Sequence, residues 1–180
     1  MAQTRSLNRW RVARWSVAGL LLLTPAVMMQ ISDEWNWSAG SFVAAGILIG
    51  GVLGLYELIA RAGSGWGYRA GTAVALAAGF LSVWATIVRD DGDGIGYFMV
   101  ILAAAVGAFA AWLRPAGMAR AMLGAATMQA LLGVAIATAP VVAASPGGSR
   151  RALLTGAFFA GLWLASAALF WADARARQRA

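Results

Sequence analysis

The amino-acid sequence predicts an all-α integral membrane protein: a six-helix bundle of three helical hairpins with both termini in the cytoplasm. Three observations lead to this prediction, namely six apolar stretches of bilayer length, few charged residues and an uneven distribution of arginine. The chain has 180 residues, of which 61% are hydrophobic and 12% are charged. Because soluble domains carry about 25% charged residues, this chain lacks the charge to cover a water-facing surface.

The six apolar stretches are bracketed by Arg, Gly, Asp or Pro. Each is close to the roughly 20 helical residues that the hydrocarbon core of a bilayer requires. The predicted spans are 15–31, 41–60, 68–88, 95–113, 119–139 and 152–172. The connections between them are short, so we expect a single transmembrane domain over residues 1–180.

Arginine marks alternate ends of these spans. Only Arg89, Arg150 and Arg151 of the 14 Arg residues fall in the first, third or fifth connection, and the rest lie near the termini or in and beside the even connections. Loops rich in Arg and Lys stay in the cytoplasm, so both termini are expected there. The Arg-rich start lacks a clear A-x-A cleavage site, which favours a retained signal anchor over a signal peptide.

The residue types that usually carry catalysis or bind metals are scarce. The chain has no Cys and no His, which excludes thiolate, imidazole and Fe–S sites within it. The segment with Asp90, Asp91 and Asp93 does not follow the spacing of a calcium-binding loop and is interpreted as a solvated turn. The sequence therefore predicts no catalytic, cofactor or metal residues, and the net charge of +7 is read as a topology signal rather than as a nucleic-acid surface.

The second span carries a row of glycines. Gly46, Gly50 and Gly54 recur every four residues and therefore share one helix face. Small residues let helices approach closely in lipid. The row predicts either packing within the bundle or an interface with a partner, which would make the protein a homo-oligomer or part of a larger membrane complex.

Polar side chains inside the later spans form a second candidate site. Thr72, Ser82 and Thr86 lie on one side of the third span, and Gln129 lies near the middle of the fifth. The hydroxyls could border a hydrated path, or they could bond to backbone carbonyls along a packed seam. A buried amide needs a partner, so Gln129 is expected to bond to another helix or to a solute.

Glu57 is the only carboxylate inside a predicted span. An intramembrane acid suggests a functional site by default. Arg61 follows four residues later, a spacing that allows an ion pair on a helix. We therefore predict a Glu57–Arg61 pair at headgroup depth in preference to a proton-binding site.

Three segments resemble a family of small uncharacterised bacterial polytopic membrane proteins. They are Met29–Trp37 leading into Phe42–Gly46, Arg114–Arg120, and Phe159–Ser166. Relatives often carry an acid where this chain has Ser41. The resemblance implies a multi-pass protein of the bacterial cytoplasmic (inner) membrane, and it implies no particular activity.

Three functions are compatible with these features. A non-enzymatic scaffold, assembly factor or accessory subunit fits the small-residue faces, the short loops and the missing catalytic groups. A small-solute transporter or channel would use the hydroxyl row and Gln129. An intramembrane enzyme would need a nucleophile or an acid–base pair, so the sequence favours the first function and keeps the transporter as the alternative.

Overall fold

The computed structural model of this chain describes residues 2–89 and 94–179, which contain helices, turns and no strand. The predicted all-α class is confirmed. The helices are α1 (Ala2–Ile31), α2 (Ala39–Ile59), α3 (Trp66–Arg89), α4 (Gly94–Ala110), α5 (Pro115–Thr138), α6 (Pro140–Ala144) and α7 (Gly148–Gln178).

Contacts divide the chain into two compact units, Met1–Glu57 and Leu58–Ala180. We call them the N-terminal hairpin, which holds α1 and most of α2, and the C-terminal bundle, which holds α3 to α7. The single transmembrane domain over residues 1–180 stays a prediction.

Five helices are long and apolar enough to cross a bilayer: α1 from Arg11 onward, α2, α3, α5 and α7. This indicates a multi-pass membrane protein. The sixth apolar helix, α4, has 17 residues. Six spans and the orientation of the chain therefore stay predictions.

The N-terminal hairpin contains few buried residues. Ser38 begins α2 as its N-cap, since its Oγ accepts a hydrogen bond from the backbone N–H of Ser41 at 3.1 Å. Only 11% of the residues in the apolar window of α1 and 6% of those in α2 are buried. Ala18, Pro25 and Ala45 are the buried residues described in this unit.

Consecutive long helices of the C-terminal bundle run in alternating directions. The hydroxyl of Ser149, at the start of α7, donates to the carbonyl of Ala137 near the end of α5. The hydroxyl of Ser166 in α7 donates to the carbonyl of Gly71 near the start of α3. The bundle thus has one end near α6, which we call the α6 end, and an opposite end near Asp173, which we call the Asp173 end.

The two longest helices of the bundle, α5 and α7, meet at a pair of glycines. A Cβ atom built on Gly156 would lie 2.7 Å from the Cα of Gly133. Neither position tolerates a side chain without movement of backbone, so the glycines set the distance between the helices. Larger side chains fill the seam on one side of this crossing, among them Met122, Trp163 and Phe170.

Helix α4 ends earlier than predicted, where the connection to α5 begins. The sequence places span four at 95–113, but α4 ends at Ala110, and Trp112 and Leu113 adopt left-handed backbone conformations with φ of 49° and 56°. Side chains disfavour this region. The hydroxyl of Tyr68 donates to the Leu113 carbonyl at 2.9 Å, which ties the turn to α3.

A short helix, α6, lies in the connection between the predicted spans 119–139 and 152–172. Pro140 stands in its first turn, where the missing N–H costs nothing. Gly147, with φ of 70°, turns the chain into α7. A Cβ atom on Gly148 would collide with the carbonyl oxygen of Val142, so these glycines allow α6 to fold back against the start of α7.

Candidate functional site

The predicted glycine face of α2 is open within the N-terminal hairpin. No described atom of this unit lies within 4 Å of a Cβ atom built on Gly46, Gly50 or Gly54, neighbours within α2's own backbone aside. Packing of α2 against α1 therefore does not use this row. The row remains a flat apolar surface of the hairpin.

Glu57, near the end of α2, contacts the first helix. Its carboxylate pairs with the guanidinium of Arg11 at 3.1 Å and accepts a hydrogen bond from the Trp15 indole at 2.9 Å. The predicted Glu57–Arg61 pair stays a prediction; α2 ends at Ile59, and Arg61 lies in the turn that follows. One turn along, the guanidinium of Arg14 lies 5.0 Å from the centre of the Tyr56 ring.

The hydroxyl groups in the row along α3 donate their hydrogen bonds to backbone carbonyls of the same helix. Thr72, Ser82 and Thr86 each donate to the carbonyl four residues earlier, at 2.8–2.9 Å. Thr72 and Ser82 are fully buried. Bonds of this kind are expected for a packed seam, and the hydrated path along these residues stays an alternative.

Gln129 occupies the middle of the α5–α7 seam. Its side chain is completely buried, and neither its amide nitrogen nor its amide oxygen has a hydrogen-bond partner in the described part of the chain. The expected bond to another helix is not observed there. The indole nitrogen of Trp163 on α7 is likewise buried and without a partner among these residues. Each unpaired buried group costs about 1–3 kcal/mol.

An open cavity of about 350 Å³ lies at the α6 end of the bundle. It is bounded by the end of α3, the start of α4, the end of α5, the helix α6 and the start of α7. Two members of the predicted polar path, Ser82 and Thr86, line it, whereas Thr72 and Gln129 do not. The cavity thus reaches part of the hydroxyl row from one end and does not continue along it.

The cavity wall combines one cation, several hydroxyls and an apolar side. Arg151 is the only ionisable Arg, Asp or Glu among its described lining residues, and Ile136, Val142 and Phe159 form much of the apolar surface. The hydroxyls belong to Ser82, Thr86, Tyr97, Ser145 and Thr155. A ligand here would meet a positive charge and polar atoms beside an apolar wall.

Asp173 is a buried acid whose role the sequence did not reveal. It is 6% exposed, and it pairs with Arg177 at 2.7 Å. A Cβ atom on Gly65 would collide with its carboxylate, and one on Gly67 would lie 3.2 Å from its Cβ. Gly65, just before α3, and Gly67, in its first turn, therefore form the surface against which the end of α7 packs. In the sequence, the i, i+4 spacing of Asp173 and Arg177 is the signal from which this ion pair could be predicted.

No group of three Asp or Glu residues capable of holding a metal ion occurs within residues 2–89 and 94–179. The acids Asp90, Asp91 and Asp93 lie outside the described residues.

Comparison of the chain with protein-family models, with curated proteins and with solved structures gives no match. The site must therefore be interpreted from its own geometry.

Proposed function

We propose that this chain is a non-enzymatic component of a bacterial inner-membrane assembly, a scaffold or accessory subunit that associates with another membrane polypeptide through its N-terminal hairpin. The lipid bilayer is its solvent. No catalytic residues and no cofactor are assigned.

The open glycine row of α2 is the observation that supports this role most. Lipid offers no hydrophobic driving force between helices, so helices associate where small residues permit close backbone contact. Gly46, Gly50 and Gly54 provide such a surface, and within the hairpin nothing fills it. A helix of a second polypeptide could pack there without displacing any side chain of the hairpin.

The proposed topology places the Asp173 end of the bundle in the cytoplasm, with α4 as the sixth span. The Arg residues near this end are Arg61, Arg69, Arg114, Arg120, Arg175, Arg177 and Arg179, whereas the α6 end has Arg89, Arg150 and Arg151. Positive residues are retained in the cytoplasm. Although α4 has only 17 residues, this is the lower limit of the usual range for a span.

The experiment that tests the proposed role compares wild-type chain with Gly50→Leu after mild solubilisation of native membranes. A leucine would hold a partner backbone away from α2, so co-purifying polypeptides or higher oligomers should be lost. Gly161→Leu is the matched control, since Gly161 is exposed on α7 and a Cβ atom there meets nothing within 4 Å. Unchanged association in Gly50→Leu would refute the proposal.

The alternative function, a small-solute transporter or channel, is supported by the cavity that reaches Ser82 and Thr86. A continuous path would also have to open beside Thr72 and Gln129, both fully buried. Solute flux into proteoliposomes that falls in Gln129→Met would favour this alternative. Absence of flux in the wild type would count against it.

A further inference from the structure

We propose that the cavity at the α6 end binds a phosphate ester that carries free hydroxyl groups, such as the phosphoglycerol headgroup of an anionic lipid. This binding site goes beyond the scaffold role and does not depend on it, because all its residues belong to the C-terminal bundle. The inference rests on the charge, the hydrogen-bonding state and the size of the cavity.

A single cation sets the charge preference of the cavity. Arg151 lines the cavity, and its Nη2 donates to the carbonyl of Pro146 at 3.2 Å. A guanidinium has five N–H donors in a planar fork, so the others remain for a ligand. Because a guanidinium matches phosphate oxygens in pairs, a phosphate is the preferred anion.

The first turn of α7 adds to this positive potential. This 31-residue helix begins at Gly148, which lines the cavity, and it has no acidic residue in its first turn. The backbone N–H of Gly148 already donates to the carbonyl of Ser145, so α7 contributes the partial positive charge of its N-terminal end rather than a free donor at Gly148. No described lining residue is an acid, so nothing described in the wall opposes an anion.

Three of the five hydroxyls described in the wall have their protons engaged and are available as acceptors. The proton of Ser82 is given to the carbonyl of Ala78 and that of Thr86 to the carbonyl of Ser82, both at 2.8 Å. Ser145 donates to Val141 at 3.0 Å. Since a hydroxyl has one proton and two lone pairs, these oxygens favour a ligand that brings its own O–H donors.

The size and the apolar side of the cavity limit the ligand further. A volume of about 350 Å³ lies at the lower end of the range of roughly 300–1,000 Å³ for ligand sites. It accommodates a headgroup with the first carbons of a chain, but not two acyl chains. Ile136, Val142 and Phe159 offer the apolar contact for those first carbons. A phosphate ester with free hydroxyls satisfies all these conditions.

Binding measurements on the purified full chain in detergent test the proposal. The probes are short-chain phosphatidylglycerol, phosphatidylcholine with the same chains, and glycerol 3-phosphate. The variants are Arg151→Gln, which removes the cation, and Ala85→Phe, which places a ring in the cavity without changing charge. Arg150→Gln is the matched control, because Arg150 is exposed, adjacent in sequence and not part of the lining.

We expect phosphatidylglycerol to bind more tightly than phosphatidylcholine. Arg151→Gln should lower the affinity for phosphatidylglycerol about tenfold or more, because a hydrogen bond to a charged group is lost. Ala85→Phe should also lower this affinity, and Arg150→Gln should leave it unchanged. Competition by glycerol 3-phosphate would identify a free solute as a ligand, and no competition would identify the lipid. Either result supports the site.

Three results would overturn the proposal. An equal loss in Arg150→Gln and Arg151→Gln would mean general attraction of anionic lipid to a basic surface. Equal affinity for phosphatidylglycerol and phosphatidylcholine would show that the positive charge of Arg151 does not select an anionic headgroup. Normal binding by a monodisperse Ala85→Phe protein would place the ligand outside the cavity. Should Ala85→Phe misfold, the comparison of the two arginine variants decides.

Discussion

The N-terminal hairpin and the C-terminal bundle use glycine in opposite ways. In α2 of the hairpin, Cβ atoms on Gly46, Gly50 and Gly54 would meet nothing from that unit. In the bundle, Gly133 and Gly156 lie against each other's backbone. The fraction of buried residues follows the same division: 11% and 6% in the apolar windows of α1 and α2, but 33% and 39% in those of α5 and α7.

This difference shows that glycines on a helix can serve either packing within the chain or contact with another molecule. The bundle glycines shorten a distance between helices that already pack, so they contribute to stability within the chain. The hairpin glycines shorten no distance within their own unit and leave a surface for contact elsewhere. The hairpin row is visible in the sequence as a regular spacing, whereas the bundle pair takes one glycine from each of two helices and is visible only in the structure.

The largest expected effect on stability comes from filling the α5–α7 crossing. Gly156→Ala places a methyl group against the backbone of Gly133, and overpacking of this kind costs typically about 1–3 kcal/mol. Gly161→Ala on the same helix meets open space, so it should stabilise by up to about 1 kcal/mol through helix propensity. The free energy of unfolding in mixed micelles measures both.

Gly50→Ala tests whether the α2 glycines behave like the open Gly161 or like the packed Gly156. It should behave like Gly161→Ala in the isolated monomer, because its Cβ atom is also unopposed within its unit. If Gly50→Ala instead destabilised the monomer as much as Gly156→Ala does, the α2 row would pack within the chain.

An effect of opposite sign, ranging from none to at most the same size, is expected at Gln129. Gln129→Met keeps the shape of a buried side chain and removes two polar atoms that have no partner among the described residues. Replacing such groups by apolar ones is neutral or stabilising, here by up to about 1–3 kcal/mol. The same unfolding assay applies. A clear loss of stability would show that the amide gains a partner in the membrane and would strengthen the solute-path alternative.

The sequence predicted the long helices because hydrophobic length and flanking charge are local signals. Helices α2 and α3 begin and end within two residues of the predicted spans. The larger differences occur at Arg-rich ends, where α1 begins at Ala2 and α7 continues to Gln178. Arginine is a good helix former, so the helices extend past the apolar stretches that defined the predictions.

The candidate sites were less predictable because they depend on contacts between distant parts of the chain. The partner of Glu57 is Arg11, 46 positions away in sequence, and no local spacing indicates it. The α6 cavity draws residues from five helices. Helix α6 was not predicted because it lies in a connection between two predicted spans, although its Pro140 is a residue favoured in the first turn of a helix.

Photo-cross-linking from Gly50 tests the central claim most directly. The chain has no Cys, so a single cysteine at position 50 can carry a benzophenone probe in native membranes, with Gly161→Cys as the control. The account predicts a cross-linked product of higher mass, containing a second polypeptide, from position 50 and none from position 161. No product from position 50, or equal products from both, would contradict it.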